Sequence, residues 1–211
     1  RNGVDFPVLL LGGGEEGEDG RCQWKLKSEE PDGLYSGCTP HCSPDGQCVD
    51  WNEACSFYCL APGCHVSLFG GGFKLAKHLA VGDAVLTLQG QRDLVQACVE
   101  TRTHGKQVAM AVLPGEDGVS ITSGHPVVDP GSGSWVKPKT VFPQRQERHP
   151  TLHNFVLEGR RALLVSDGLG GPLTACSTLG QFCPGLDKPG HTFFGSERVV
   201  EQLAREADWP F

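Results

Sequence analysis

Hydrophobic positions recur along the chain in short bursts separated by polar or glycine-rich breaks: "CHVSLF", "GDAVLTL", "LVQACVETR", "VAMAVL", "VSIT", "HNFVLEG" and "ALLVSD". Runs of this length, rich in Val, Leu and Thr and bounded by turn residues, predict β-strands joined as hairpins, with Gly70 to Gly72 forming one of the turns. The period changes only in the closing segment "SERVVEQLAREADWPF". There Val199, Val200, Leu203, Ala204 and Ala207 share one helical face, Ser196 stands at the N-cap and Pro210 lies beyond. The pattern predicts one amphipathic helix near residues 196–207, packed through Val200 and Leu203. It sits on a mostly antiparallel β domain running from Cys59 to about Leu186. No internal repeat interrupts this order. The expected class is all-β.

Composition agrees: 29 glycines and 15 prolines supply many turns, and 38% hydrophobic residues over 211 positions suffice for a core. Residues 1–20 are acidic and glycine-rich, with too little apolar surface to offset the entropy of ordering, and read as an arm. Cysteine density divides the remainder. Cys22, Cys38, Cys42, Cys48, Cys55, Cys59 and Cys64 crowd the front, whereas only Cys98, Cys176 and Cys183 follow. Residues 21–58 are expected to form a loop-rich module. With few core-forming residues, it calls for at least two disulfides among Cys22, Cys38, Cys42, Cys48 and Cys55. A third unit spans residues 59–211.

A net charge of -7 without a basic patch disfavours nucleic acid as a partner, since phosphates demand clustered Lys and Arg, and none is expected. The longest early apolar run, "FPVLLL", is too short to cross a bilayer and lacks the flank and cleavage site of a secretory signal. No transmembrane segment is expected. Ten cysteines favour an oxidising compartment, secreted or within an organelle lumen. His41 with Cys38, Cys42 and Cys48 lacks a Cys-x-x-Cys pair, so no metal site is expected. "LFGGGF" lacks the Lys and Ser or Thr of a phosphate-binding loop, and no cofactor is expected.

Taken in order, "CLAPGCHVSLFGGGFKLAKHLAVGDAVLT", "ITSGHPVV", "LHNFVLEGRRALLVSDG", "CSTLGQ" and "HTFFGSERVVEQL" resemble Hint domains. This is the fold shared by inteins and hedgehog autoprocessing domains, and the chain is most similar to the Hint domains associated with von Willebrand type A proteins. The resemblance runs from Cys59 to the end of the chain. It implies that Cys59 opens the domain as a nucleophile, that Gly82, Asp83 and "AVLT" belong to the same opening block, and that Thr122 and His125 form the Thr-x-x-His signature.

The chemistry of these residue types is coherent. A thiol at Cys59 is adjacent to the Tyr58 carbonyl, so a five-membered attack on the preceding peptide bond needs no diffusion and yields a thioester by an N to S acyl shift. The amide nitrogen must gain a proton as it leaves, and His125 is the candidate donor. Thr122 is implied to orient the scissile Tyr58–Cys59 peptide. The segment ending at Tyr58 would be the substrate, and the thioester would be discharged by water, thiol, amine or alcohol. In hedgehog relatives that alcohol is a sterol, activated by an acidic residue upstream of the Thr-x-x-His block, a region in which Glu100 lies.

Departures from the family shape the expectation. Inteins end in His-Asn before a second nucleophile, whereas this sequence ends "ADWPF", so protein splicing is not expected. The only His-Asn pair, His153 and Asn154, reads as part of a strand. Cys64 stands where many relatives carry Thr and puts a second thiol near the first. Two rival readings remain. One is a catalytically silent Hint fold serving as a structural or interaction subunit, with the Cys-rich module as its contact surface for a protein partner. The other is a disulfide-rich secreted binding module in which Cys22, Cys38, Cys42, Cys48, Cys55 and Cys59 close three disulfides.

Overall fold

A computed structural model describes residues 9–12, 15–16, 22–25, 34–38, 58–103, 107–115, 119–184 and 195–206. The strands before Tyr58 are β1 (Leu9–Gly12), β2 (Glu15–Glu16), β3 (Cys22–Lys25) and β4 (Leu34–Cys38). Strands β2, β3 and β4 form an antiparallel sheet with Cys22 opposite Cys38. Of the cysteines expected to pair in the Cys-rich module, Cys42, Cys48 and Cys55 lie outside the described residues, as does the candidate ligand His41.

Beyond Tyr58 the hydrophobic bursts become strands. They begin with β5 (His65–Ser67), β6 (Phe73–Leu75), β7 (Ala84–Leu86), β8 (Arg92–Arg102), β9 (Gln107–Val112) and β10 (Ser120–Thr122). They continue with β11 (Val127–Val128), β12 (Trp135–Val136), β13 (Gln144–Arg148), β14 (Thr151–Leu157), β15 (Leu163–Ser166) and β16 (Thr174–Cys176). Gly70, Gly71 and Gly72 all adopt positive φ (99°, 104° and 79°) in the β5–β6 turn, a backbone that side chains with a Cβ rarely tolerate.

The long strand β8 organises the domain. Its odd positions Asp93, Val95, Ala97, Val99 and Thr101 are buried and its even positions from Leu94 to Glu100 only partly so, the period of two expected of a half-covered strand. It pairs antiparallel with β7 and β14 and parallel with β1. Strand β14 is buried on both faces from Leu152 to Leu157, so its polar His153 and Asn154 are buried along with Leu152, Phe155, Val156 and Leu157. A second sheet runs β12-β11-β16-β15-β5-β6, and β9 lies between β10 and β13; these pairings are all antiparallel. The main core includes Leu60, Met110, Ile121, Leu152, Phe155 and Leu163, each contributing about 1.5–3 kcal/mol of apolar transfer on burial.

The single α-helix among the described residues, α1 (Glu197–Glu206), falls where the period of 3.6 placed it. Val199, Val200 and Leu203 are buried in a second cluster with Tyr58, Ala97, Val99, Val156 and Leu179. Ala207, expected on the same face, lies outside the described residues. No helix among the described residues is long and apolar enough to cross a membrane.

Candidate functional site

Residues 59–61 thread between β10 and β14 as a short extended segment. Leu60 exchanges backbone hydrogen bonds with His153 (2.7 and 2.9 Å), Ala61 N–H donates to Ser120 C=O (2.9 Å) and Thr122 N–H donates to Cys59 C=O (2.9 Å). A small apolar sequence, "CLA", can be buried here because both neighbouring strands satisfy its backbone. The Tyr58–Cys59 peptide is thereby drawn into the interior.

Two side chains grip that peptide from different strands. Cys59 N–H donates to Thr122 Oγ1 at 3.1 Å. On the other side Asn154 Nδ2 donates to the Tyr58 carbonyl oxygen, while Asn154 Oδ1 accepts from Phe155 N–H at 2.7 Å. The Cys59 thiol donates to Thr101 Oγ1 at 3.6 Å. Burial pushes the Cys59 thiol up to about 12, with the Thr101 hydroxyl pulling weakly the other way, so the sulfur rests protonated.

His125 is fully buried and turned inward by a tight bend in which its N–H donates to Thr122 C=O at 2.9 Å. Its Nε2 lies 2.8 Å from the Ser177 carbonyl. A carbonyl only accepts, so Nε2 carries the proton and Nδ1 the lone pair. Burial lowers the imidazole to about 4, outweighing backbone contacts at Ser177 and Cys59 that favour protonation. Nδ1 is buried and makes no hydrogen bond of standard geometry. The ring sits 5.7 Å from that of Tyr58, tilted by 33°.

Cys59, Thr122, His125 and Tyr58 are therefore brought together. Glu100 is not. It neighbours Thr101 on β8, so alternation sends its side chain to the opposite, half-exposed face, where its Oε1 lies 3.9 Å from His153 Nδ1. Cys64 donates its thiol to the Ser120 carbonyl at 3.2 Å and is likewise neutral. Cys59, Cys64, Cys98, Cys176 and Cys183 are free thiols, so Cys59 is not half of a disulfide and the three-disulfide reading is overturned at that residue.

Sequence reasoning missed Asn154 and Thr101. Asn154 was read only as a strand residue, yet an amide in the middle of the apolar run "HNFV" is itself a signal, because a buried polar side chain must find a partner. Its partner is the carbonyl preceding Cys59.

The profile of a Hint-domain family, Vint, matches residues 58–209, which covers most of the chain and includes every residue of this site. Among solved structures, a bacterial intein-like domain from Clostridium thermocellum aligns at 14% identity with a TM-score of 0.46, covering 58% of this chain and 99% of that one. The gp41-1 intein aligns at 12% identity with a TM-score of 0.42, covering 56% and 96%. No curated protein sequence matches the chain. By the extent of the family match, this chain belongs to the Vint family of Hint domains.

Proposed function

We propose that this domain cleaves its own chain at Tyr58–Cys59 through a Cys59 thioester. The observation that carries this reading is the grip on one peptide bond: Thr122 Oγ1 on its nitrogen side and Asn154 Nδ2 on its carbonyl oxygen, beside a neutral imidazole.

The step balances as a neutral rearrangement. Cys59 Sγ bonds to the Tyr58 carbonyl carbon as its proton passes to His125 Nδ1, and negative charge develops on the carbonyl oxygen. Asn154 Nδ2 is aimed at that oxygen, and one such donor in a dry site is typically worth about 10²- to 10³-fold in rate. As the adduct collapses, the C–N bond breaks and His125 returns the proton to the departing nitrogen, which becomes the Cys59 α-amine. General acid–base help of this kind contributes about 10²- to 10⁴-fold. Because thiol and imidazole both begin uncharged, no net charge is buried in the starting state.

The thioester is then discharged by a small nucleophile such as water, a thiol, an amine or a sterol. That molecule adds to the carbonyl carbon, the C–S bond breaks and the sulfur regains a proton. Glu100, on the far face of β8, takes no part in the acyl shift and would serve only the activation of this second nucleophile. The silent-subunit reading draws its support from the closed site: Cys59 is buried and its thiol rests near 12. Intact mass of the full chain before and after neutral hydroxylamine tests both. Release of a segment ending at Tyr58 as its hydroxamate is expected. An unchanged mass with a free Cys59 would leave the silent subunit standing.

A further inference from the structure

Tyr58 is the residue that would be lost from the domain on cleavage, yet its side chain is 2% exposed. The scissile bond joins two cores: Cys59 and Leu60 belong to the main one, whereas Tyr58 packs into the smaller cluster beneath α1. Its buried cluster is shared with β8 (Ala97, Val99), β14 (Val156), Leu179 and α1 (Val199, Val200, Leu203). The tilted His125 ring closes the side toward the reaction. The helix seats tightly there, because a Cβ at Gly180 would come within 2.7 Å of Val200 Cγ2. Burial holds the Tyr58 hydroxyl well above the ordinary phenol range, so the side chain is neutral at physiological pH.

From this geometry we infer that the domain carries a recognition pocket for the side chain on the acyl side of its own scissile bond, shaped for a large aromatic ring. The inference rests on the self-cleavage reading above and specifies its substrate. The argument is one of positioning. Asn154 can stabilise charge on the Tyr58 oxygen only if that carbonyl keeps its rotation about the Cα–C bond, and a ring locked between β8 and α1 fixes it from the other end. Contacts remote from the reacting atoms are thus used to hold a near-attack geometry, in which an error of about 1 Å costs on the order of 100-fold. Since α1 supplies three residues of this cluster and is the last described element of the stretch that the family profile matches, the pocket is complete only after that helix has packed. Cleavage is thereby tied to finished folding.

The test is the rate of hydroxylamine-dependent cleavage in full chains carrying Tyr58→Phe, Tyr58→Leu and Tyr58→Ala, each measured where circular dichroism shows the chain folded. Rates should fall from Tyr and Phe through Leu to Ala, with Ala about 100-fold below the native chain. Should Tyr58→Ala fail to fold, Tyr58→Trp with and without Leu203→Ala decides. Trp alone overfills the pocket and should be slow, and truncating the wall residue should restore rate toward native. A folded Tyr58→Ala or Tyr58→Leu chain cleaving at the native rate, or no rescue of Trp by Leu203→Ala, overturns the pocket while leaving self-cleavage intact. Absence of cleavage in the native chain removes the self-cleavage reading, and the pocket with it.

Discussion

Asn154 and Tyr58 lie 96 positions apart in sequence, yet the amide of the first donates to the main-chain carbonyl oxygen of the second. The amide is pre-aimed, because its own oxygen is held by Phe155 N–H in the middle of the buried strand β14. If this donor serves the developing oxyanion, Asn154→Ala should slow segment release by about 10²- to 10³-fold in a single-turnover assay. Asn154→Asp should be at least as slow at neutral pH, since a carboxylate there repels the charge it should stabilise. A native rate in either folded variant would remove Asn154 from the reaction.

Thr122 offers a test on the other end of the same peptide. Its hydroxyl accepts from Cys59 N–H, and its backbone N–H donates to Cys59 C=O. Thr122→Val keeps the shape and the backbone contact but leaves the buried Cys59 N–H without an acceptor, a loss of about 1–3 kcal/mol. Cleavage should slow markedly, whereas Thr122→Ser, which restores the hydroxyl, should recover most of the rate. Equal rates in the two variants would show that only packing matters at this position.

The thiols should separate by role. Cys59→Ala should abolish cleavage, and Cys64→Ala, whose sulfur is engaged with Ser120, should leave it largely intact. Because burial holds Cys59 and Cys64 near 12, both should resist iodoacetamide in the native protein at pH 8 and react once denatured. Peptide mapping without reduction should find Cys59 unlinked. A disulfide-linked Cys59 peptide would contradict the structure.

Acid should destabilise the domain before it protonates most carboxylates. Folding lowers His125 from 6.5 to about 4 through burial, and lowers His153 to about 4 through burial and then the Lys77 charge. Between pH 4 and 6.5 the unfolded chain therefore binds more protons than the folded one, so stability rises with pH across that window and is lost as pH falls through it. Thermal unfolding followed from pH 7 to 4 should show this fall, with an uptake of about one proton per histidine. His153→Gln should remove about half of the slope, and an unchanged slope would show that the His153 ring is not held neutral in the folded state.

Much of the fold was legible because its signals are local. The bursts from "CHVSLF" to "ALLVSD" carry strand periodicity, Gly70 to Gly72 mark a turn whose backbone favours glycine, and Val199, Val200 and Leu203 declare a helical face at Glu197–Glu206. The motif residues Cys59, Thr122 and His125 could be picked out for the same reason, since each sits in a short recognisable string. What those strings do not contain is the surface each one meets. Asn154 reaches the Tyr58 carbonyl because residues 59–61 insert between β10 and β14, a pairing that depends on contacts across the whole chain. Thr101 meets the sulfur and its neighbour Glu100 does not, because one register of β8 against β14 fixes which residues share the inner face. The burial of Tyr58 depends on segments far apart in sequence, because its apolar cluster is assembled from β8, β14, Leu179 and a helix beginning at Glu197, which meet only in the packed fold.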